Sequence, residues 1–307
     1  MTDAQQHKRN DWLVVGKGAI GLLTACQLQQ QGELIRLWLR QPTELQVAMT
    51  TVRGAVRRHH FAPWPKTQAA RLAFIAVKAY DALPCIQQLQ TQLAEDACVI
   101  LSHNGLGTLT NIQAALKPRQ QLWFLTTTHG AYTQSDCSKG HQLVHSGSGS
   151  SVIGKITPAD SEAVPGWFDV LGQALGPLTL VERIQPCLWQ KLLINCLINP
   201  LTALHQVPNG ALAETRFEAT LKKLFAEYCQ LAAAAGYPQQ ETAAWQQLQQ
   251  VISNTASNRS SMLQDRLAGR KTELDFITGF VLSEADRLGL ALPAHQQLYQ
   301  DCLAAGF

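Results

Sequence analysis

The chain lacks several features that would mark whole classes of protein. None of its eight cysteines (Cys26, Cys85, Cys98, Cys137, Cys187, Cys196, Cys229 and Cys302) forms a CxxC pair. Scattered and mostly inside apolar segments, they suit reduced core residues better than disulfides or thiolate ligands, and no metal is expected. Long hydrophobic runs are missing too: Leu192 to Ile198 is interrupted by Asn195 and falls far short of the roughly 20 residues that span a bilayer. The segment from Met1 to Asn10 is polar and charged, so no secretory signal is read and a cytoplasmic protein is expected. Basic blocks are absent as well. Lys and Arg number 25 against 22 Asp and Glu, a formal charge of +3, which gives nucleic acid or an anionic membrane little to hold.

Charge of either sign is scarce, at 15% of residues against 46% apolar, with a mean hydropathy of -0.06. Such a chain folds around buried cores and is not disordered. At about 150 residues per domain, 307 residues suggest two domains. The partner expected is a small molecule, and the protein itself a monomer or homodimer.

The first half alternates short apolar runs with amphipathic segments, the pattern of βαβ units and a mostly parallel sheet. Strands are expected at Trp12 to Val15, Ile35 to Leu39, Leu72 to Val77, Cys98 to Ser102 and Leu122 to Thr127, with helices such as Ile20 to Gln30 and Ala82 to Leu93. From Thr133 to about Glu182 the composition turns to Gly, Ser and short extended runs. Three of these (His141 to His145, Ser151 to Ile156, Leu178 to Val181) suit antiparallel edge strands closing the sheet, with a turn at Gly147 to Ser151. Helical periodicity then takes over, at Pro186 to Ile198, Ala211 to Ala235, Gln240 to Leu267, Glu273 to Leu288 and Ala294 to Ala304. The fold class expected is α/β: a Rossmann-type N-terminal domain over residues 1–182 and an all-α C-terminal domain over 183–307, with the active site in the cleft between them.

Gly16-Lys17-Gly18-Ala19-Ile20-Gly21 follows the first strand directly and opens the first helix, the context that gives a GxGxxG match its value. Gly16 permits the tight turn, Gly18 lets a pyrophosphate approach the backbone, and Gly21 allows close packing, so a dinucleotide is the natural ligand. Enzymes of this architecture that select NAD place a carboxylate at the end of the second strand. Here that strand ends Leu37-Trp38-Leu39-Arg40, and a guanidinium there suits a 2′-phosphate, which favours NADP(H).

In the segment Leu188 to Pro200, Lys191, Asn195 and Asn199 recur every fourth residue inside an apolar helix, which stacks them on one face. Burying an ammonium and two amides is costly unless they meet partners, so the stripe reads as a site for a small, polar, anionic ligand. The plainer alternative is a structural polar seam between helices. Reducing a ketone requires a proton for the developing alkoxide, and a desolvated lysine can supply one, so Lys191 is the candidate general acid. Lys78 and Asn104 follow two strands, where ligands bind in such sheets. Asn258, Ser260, Ser261, Asp265 and Glu273 add a second polar group. Read alone, Asn104-Gly105 is also a turn dipeptide, Lys78 a surface charge, Ser261 a helix hydroxyl and Glu273 a helix-start carboxylate.

Together these motifs resemble those of the ketopantoate reductase (2-dehydropantoate 2-reductase) family over nearly the whole chain. Besides the glycine loop they include Val77-Lys78-Ala79, His103 to Thr108, Thr126 to His129, Trp189 to Ala203, Pro208-Asn209-Gly210, Ser260 to Asp265, and Thr272 to Asp275 followed by Gly279. The resemblance implies that residues Gly16 to Gly21, Arg40, Lys78, Asn104, Ala131 and Glu273 contact or arrange NADPH. It also implies that Lys191 donates the proton while Asn104, Asn195, Asn199, Asn209 and Ser261 hold 2-dehydropantoate, with Glu273 orienting the reacting end. Lys17 departs from the pattern, and so does Gly130 after His129, where many relatives carry Ala. Three other readings share some of these residues. β-Hydroxyacid dehydrogenases also use Lys-x-x-x-Asn; a reductase of another branched 2-keto acid would keep the polar anchors; and a non-catalytic NADPH-responsive protein would keep the loop alone.

Overall fold

The computed structural model describes residues 10–136, 140–157 and 164–307. Cys137 and nearly all of the polar N-terminal segment lie outside them. Two compact units divide the chain, one of residues 1–103 and 109–184, the other of residues 104–108 and 185–307.

Among the described residues of the first unit, eleven strands form one sheet: β1 (Asp11–Val15), β2 (Leu34–Trp38), β3 (Leu45–Thr50), β4 (Val56–Pro63), β5 (Ala70–Ile75), β6 (Leu93–Leu101), β7 (Gln121–Thr127), β8 (Gly130–Asp136), β9 (Gly140–Gly147), β10 (Ser151–Lys155) and β11 (Leu178–Val181). Their order is β11-β10-β7-β6-β5-β1-β2-β4-β3-β9-β8. The strands from β2 through β1, β5 and β6 to β7 run parallel, as the alternating pattern predicts. The helices of this unit are α1 (Ala19–Gln30), α2 (Ala79–Leu89), α3 (Leu109–Ala115) and α4 (Phe168–Leu175). Helix α1 buries seven of its residues, Gly21 to Cys26 and Leu28, because it packs on β1 and β2, on α4, and on the end strands β8 and β9. Covered on several sides, it has little room for charge.

Three strands escape the sequence reading. Leu45, Val47 and Met49 are buried on alternate positions of β3, and the chain turns at Gly54 with φ +81° into β4. In β4 only His59 and Phe61 are buried, so the strand reads as polar and basic. The third is β8. The closing strands also differ from expectation. β10 is antiparallel to β7, but β11 runs parallel to β10. β9 pairs parallel with β3 and antiparallel with β8; the β3–β4 hairpin offers it a free edge at the other end of the sheet.

The second unit is helical: α5 (Gln185–His205), α6 (Thr215–Ala234), α7 (Glu241–Asn254), α8 (Ser261–Leu267), α9 (Phe280–Arg287) and α10 (Pro293–Ala304). Two expected helices are interrupted. A 3-10 turn, Asn209–Ala213, ends at Glu214 before α6, and residues 255–260 separate α7 from α8. A π-helical turn, Asp275–Gly279, precedes α9. Helix α5 is central and packs against α6, α7, α8, α10 and both irregular turns. Pro200 lies inside it, where it withholds a backbone donor. Two residues on, the Thr202 hydroxyl lies 2.8 Å from the Ile198 carbonyl and 3.1 Å from that of Asn199.

Candidate functional site

Among the described residues, candidate residues gather in two places, one in each unit. In the first, the loop between β1 and α1 turns at Gly16, whose φ of +83° suits a residue without a Cβ. Its N–H donates to the Trp38 carbonyl at 3.0 Å, which ties the loop to the end of β2. Ala76 and Val77, expected in β5, lie just past its end. There they press on the loop: a Cβ on Gly16 would stand 3.3 Å from Val77 Cγ1, and one on Gly18 3.4 Å from the Ala76 oxygen.

Gly18 is the residue that starts α1, and it brings no capping side chain. The Leu22 N–H bonds to the Gly18 oxygen at 2.9 Å, so the amides of Ala19, Ile20 and Gly21 have no acceptor within the helix. No acidic residue occupies its first turn. Open amides at the positive end of a helix dipole can hold a pyrophosphate, and these residues fit a dinucleotide.

Arg40 lies two residues past β2 with its side chain 86% exposed, and its Nη2 donates to Asp81 Oδ1 at 3.2 Å. Asp81 stands in the first turn of α2, whose starting residue is Lys78; Lys78 is partly buried. Lys17 is exposed. Burial, and secondarily the Lys17 ammonium, hold the His141 imidazole below its ordinary pKa. Ala131 of β8 pairs with His145, just past a register shift after the Gly130–Gly147 pair, and packs against the core.

The second place is built on α5. Lys191 and Asn195 are partly buried and Asn199 is buried. Burial lowers the Lys191 pKa to about 8, while the Glu273 carboxylate works in the opposite direction. Glu273 is itself buried, and its Oε2 accepts from Asn104 Nδ2 at 3.4 Å. Lys191, Glu273 and Asn104 therefore form one electrostatic group from three segments far apart in sequence.

Backbone geometry explains how Asn104 gets there. Gly105 and Gly107 adopt φ of +79° and +92°, and the Leu106 N–H donates to the Phe276 carbonyl at 2.9 Å. That carbonyl belongs to the π-helical turn that follows Glu273. A Cβ on Gly105 would stand 2.3 Å from the Phe276 oxygen, so the loop touches the turn too closely for any other residue. Sequence reasoning named Asn104 and Glu273 but missed Gly105 and Phe276 as the elements that register them. The Asn-Gly-x-Gly spacing carries the signal.

The remaining candidates group around the far half of α5. Thr202 Oγ1 lies 2.7 Å from Ser260 Oγ, which also accepts from the Leu263 N–H and so caps α8. Ser261, the candidate, is the exposed next residue. Asn209 is buried; its Nδ2 donates to Thr255 Oγ1 at 2.9 Å, and its Oδ1 has no hydrogen-bond partner among the described residues. The Asn258 carbonyl accepts from the Asn209 N–H at 2.9 Å, and buried Asp265 pairs with Arg270 at 3.0 Å.

Comparison with known proteins identifies the family. The family model described as ketopantoate reductase PanE/ApbA matches residues 12–158, and its C-terminal counterpart matches residues 183–304. A 2-dehydropantoate 2-reductase of Vibrio cholerae serotype O1 is 34% identical over 290 residues, covering 94% of this chain and 95% of that protein. Among solved structures, a PanE/ApbA family ketopantoate reductase from Ralstonia eutropha JMP134 matches with a TM-score of 0.81 at 22% identity, covering 96% of this chain and 97% of that one. D-mandelate dehydrogenase with NADH and anilino(oxo)acetate matches at 0.84 and 19% identity, covering 95% and 97%. Those two structures establish the fold. No helix among the described residues is long and apolar enough to cross a membrane.

Proposed function

This chain belongs to the ketopantoate reductase family, and from that premise we propose that it reduces 2-dehydropantoate to (R)-pantoate with NADPH. The product is a precursor of pantothenate and coenzyme A. In this reading residues 1–182 take the coenzyme and residues 183–307 the keto acid. The observation that carries it is a desolvated Lys191 whose charge is favoured by buried Glu273, a carboxylate that also accepts from Asn104.

Bound NADPH supplies the hydride. Lys191, with a pKa of about 8, is mostly protonated near neutral pH and still acidic enough to pass its proton to the oxygen that gains charge as the carbonyl carbon is reduced. Glu273 and Lys191 are the catalytic pair, with Glu273 opposing full loss of the lysine proton in the resting site. Asn195 and Asn199 stand one and two turns further along the same helix face, spaced to hold the carboxylate and hydroxyl of the substrate. Asn209, whose buried Oδ1 has no hydrogen-bond partner among the described residues, and Ser261 at the start of α8 complete the set of substrate anchors. The glycine loop receives the pyrophosphate, Arg40 the 2′-phosphate, and Lys78, Asn104 and Ala131 the rest of the coenzyme.

The test is oxidation of NADPH that depends on added 2-dehydropantoate, followed by the loss of the reduced coenzyme's absorbance, with other 2-keto acids run in parallel. Turnover highest with 2-dehydropantoate supports the proposal. Coenzyme binding without turnover of any 2-keto acid would overturn it.

A further inference from the structure

The end of β2 carries no carboxylate, yet one stands beside it. Asp81 reaches Arg40 from the first turn of α2, with Oδ1 3.2 Å from Nη2 and side-chain exposures of 38% and 86%. The Gly16 N–H bond to Trp38 keeps the glycine loop and this strand end together, so the Arg40–Asp81 pair belongs to the region that would receive the adenosine half of a dinucleotide. We propose that Asp81 is a specificity-determining residue of the coenzyme site, which weakens the preference for a phosphorylated ribose and lends an unphosphorylated one an acceptor. The inference rests on the reading of Arg40 as the 2′-phosphate partner.

A 2′-phosphate carries close to two negative charges near neutral pH, and to meet Arg40 it must share or displace a carboxylate already hydrogen-bonded to that guanidinium. An exposed pair of this kind holds together weakly, so Arg40 is released at small cost. The remaining penalty is the repulsion between phosphate and Asp81. With an unphosphorylated coenzyme the repulsion vanishes, and the ribose 2′-hydroxyl can donate to Asp81 Oδ1 or Oδ2. Enzymes that select NAD take that hydrogen bond with a carboxylate at the end of the second strand; here the carboxylate comes from the first turn of α2, while the strand end contributes the cation. One site then holds both a phosphate partner and a hydroxyl partner, and the two compete through their own ion pair.

The experiment titrates the intact protein with 2′,5′-ADP and with 5′-AMP by calorimetry, in the wild type and in Asp81→Asn, Asp81→Glu and Arg40→Ala variants. Asp81→Asn should tighten 2′,5′-ADP and leave 5′-AMP unchanged or weaker, so that the ratio of the two affinities rises about threefold to tenfold, the scale of an exposed charge interaction with a multiply charged partner. Asp81→Glu, which keeps the charge, should stay near the wild-type ratio. If Arg40→Ala weakens 2′,5′-ADP selectively while Asp81→Asn leaves the ratio unchanged, Arg40 keeps its role and the role of Asp81 is rejected. If Arg40→Ala acts equally on both nucleotides, the Arg40 reading fails first and takes the proposal with it.

Discussion

In the proposed reaction the glycine loop before α1 and the polar stripe of α5 would each meet a negatively charged ligand, and they would do so with different parts of the chain. Around the loop the positive ends are backbone amides, and the ionic side chains near it, Lys17 and Arg40, are exposed. On α5 the positive charge is one partly buried lysine whose pKa has been pulled down to about 8, opposed by a buried carboxylate. Solvent screens the first arrangement and strengthens the second by its absence. The difference teaches where single substitutions should act: on affinity in the exposed region, on the chemical step in the buried one.

The largest expected effect tests the buried side directly. Lys191→Ala should lower kcat by about 10²–10⁴-fold, the usual range for a lost general acid, with the circular dichroism spectrum unchanged. Near-normal turnover would show that the lysine only fills space on α5. Next comes the loop that carries Asn104. In Gly105→Ala the new Cβ meets a backbone oxygen at 2.3 Å and the residue must keep φ near +79°. The left-handed conformation alone costs roughly 1–2 kcal/mol, and displacement of Asn104 by about 1 Å would cost about 10²-fold in kcat. A variant with wild-type melting temperature and kcat would mean that the Leu106–Phe276 registration has no bearing on the site.

Much of this was legible in sequence, and the reasons for the exceptions are physical. The parallel strands and the stripe of α5 announce themselves through period, because one face or both faces are buried. The glycine loop is readable because a strand precedes it and a helix follows. β3 and β4 were not, since β4 shows Arg57, Arg58 and His60 to solvent and buries only alternate residues. The π-helical turn was hidden for another reason: Asp275 to Gly279 has ordinary helical periodicity, and the Leu106 N–H that meets its Phe276 carbonyl comes from a loop far away in sequence. A long-range contact of this kind leaves no local signature beyond two glycines.

The pH profile sharpens the same contrast. A general acid must carry its proton, so kcat/KM should be flat below the Lys191 pKa of about 8 and fall about tenfold per pH unit above it. Glu273 raises that pKa, because a nearby negative charge favours the ammonium. In Glu273→Gln the basic limb should therefore move to lower pH. Movement to higher pH, or none, would separate Glu273 from Lys191. On the exposed side the expected change is in affinity. Arg40→Ala should weaken NADPH by about 1.5 kcal/mol, roughly tenfold, the lower end for a charged hydrogen bond in a solvent-exposed position. NADH should change less than twofold, and equal effects in parallel titrations would remove Arg40 from the phosphate site.

The smallest effect concerns two helix starts that differ in use. Gly18 starts α1 without a capping side chain, and the open amides remain available to a ligand. Ser260 starts α8, and its hydroxyl already accepts from the Leu263 N–H at 3.1 Å while touching Thr202 at 2.7 Å. This cap ties one of the first amides of α8 to the fold, so Ser260→Ala should lower stability by about 1 kcal/mol, the usual value of such a cap. Because α8 meets α5 beyond Asn199, loosening it should raise KM for the keto acid if Ser261 is the anchor proposed above, and leave coenzyme affinity and the basic limb of the pH profile where they were. A fall in coenzyme affinity, measured with stability held by lower temperature, would show that the two helix starts are not as separate in function as their caps imply.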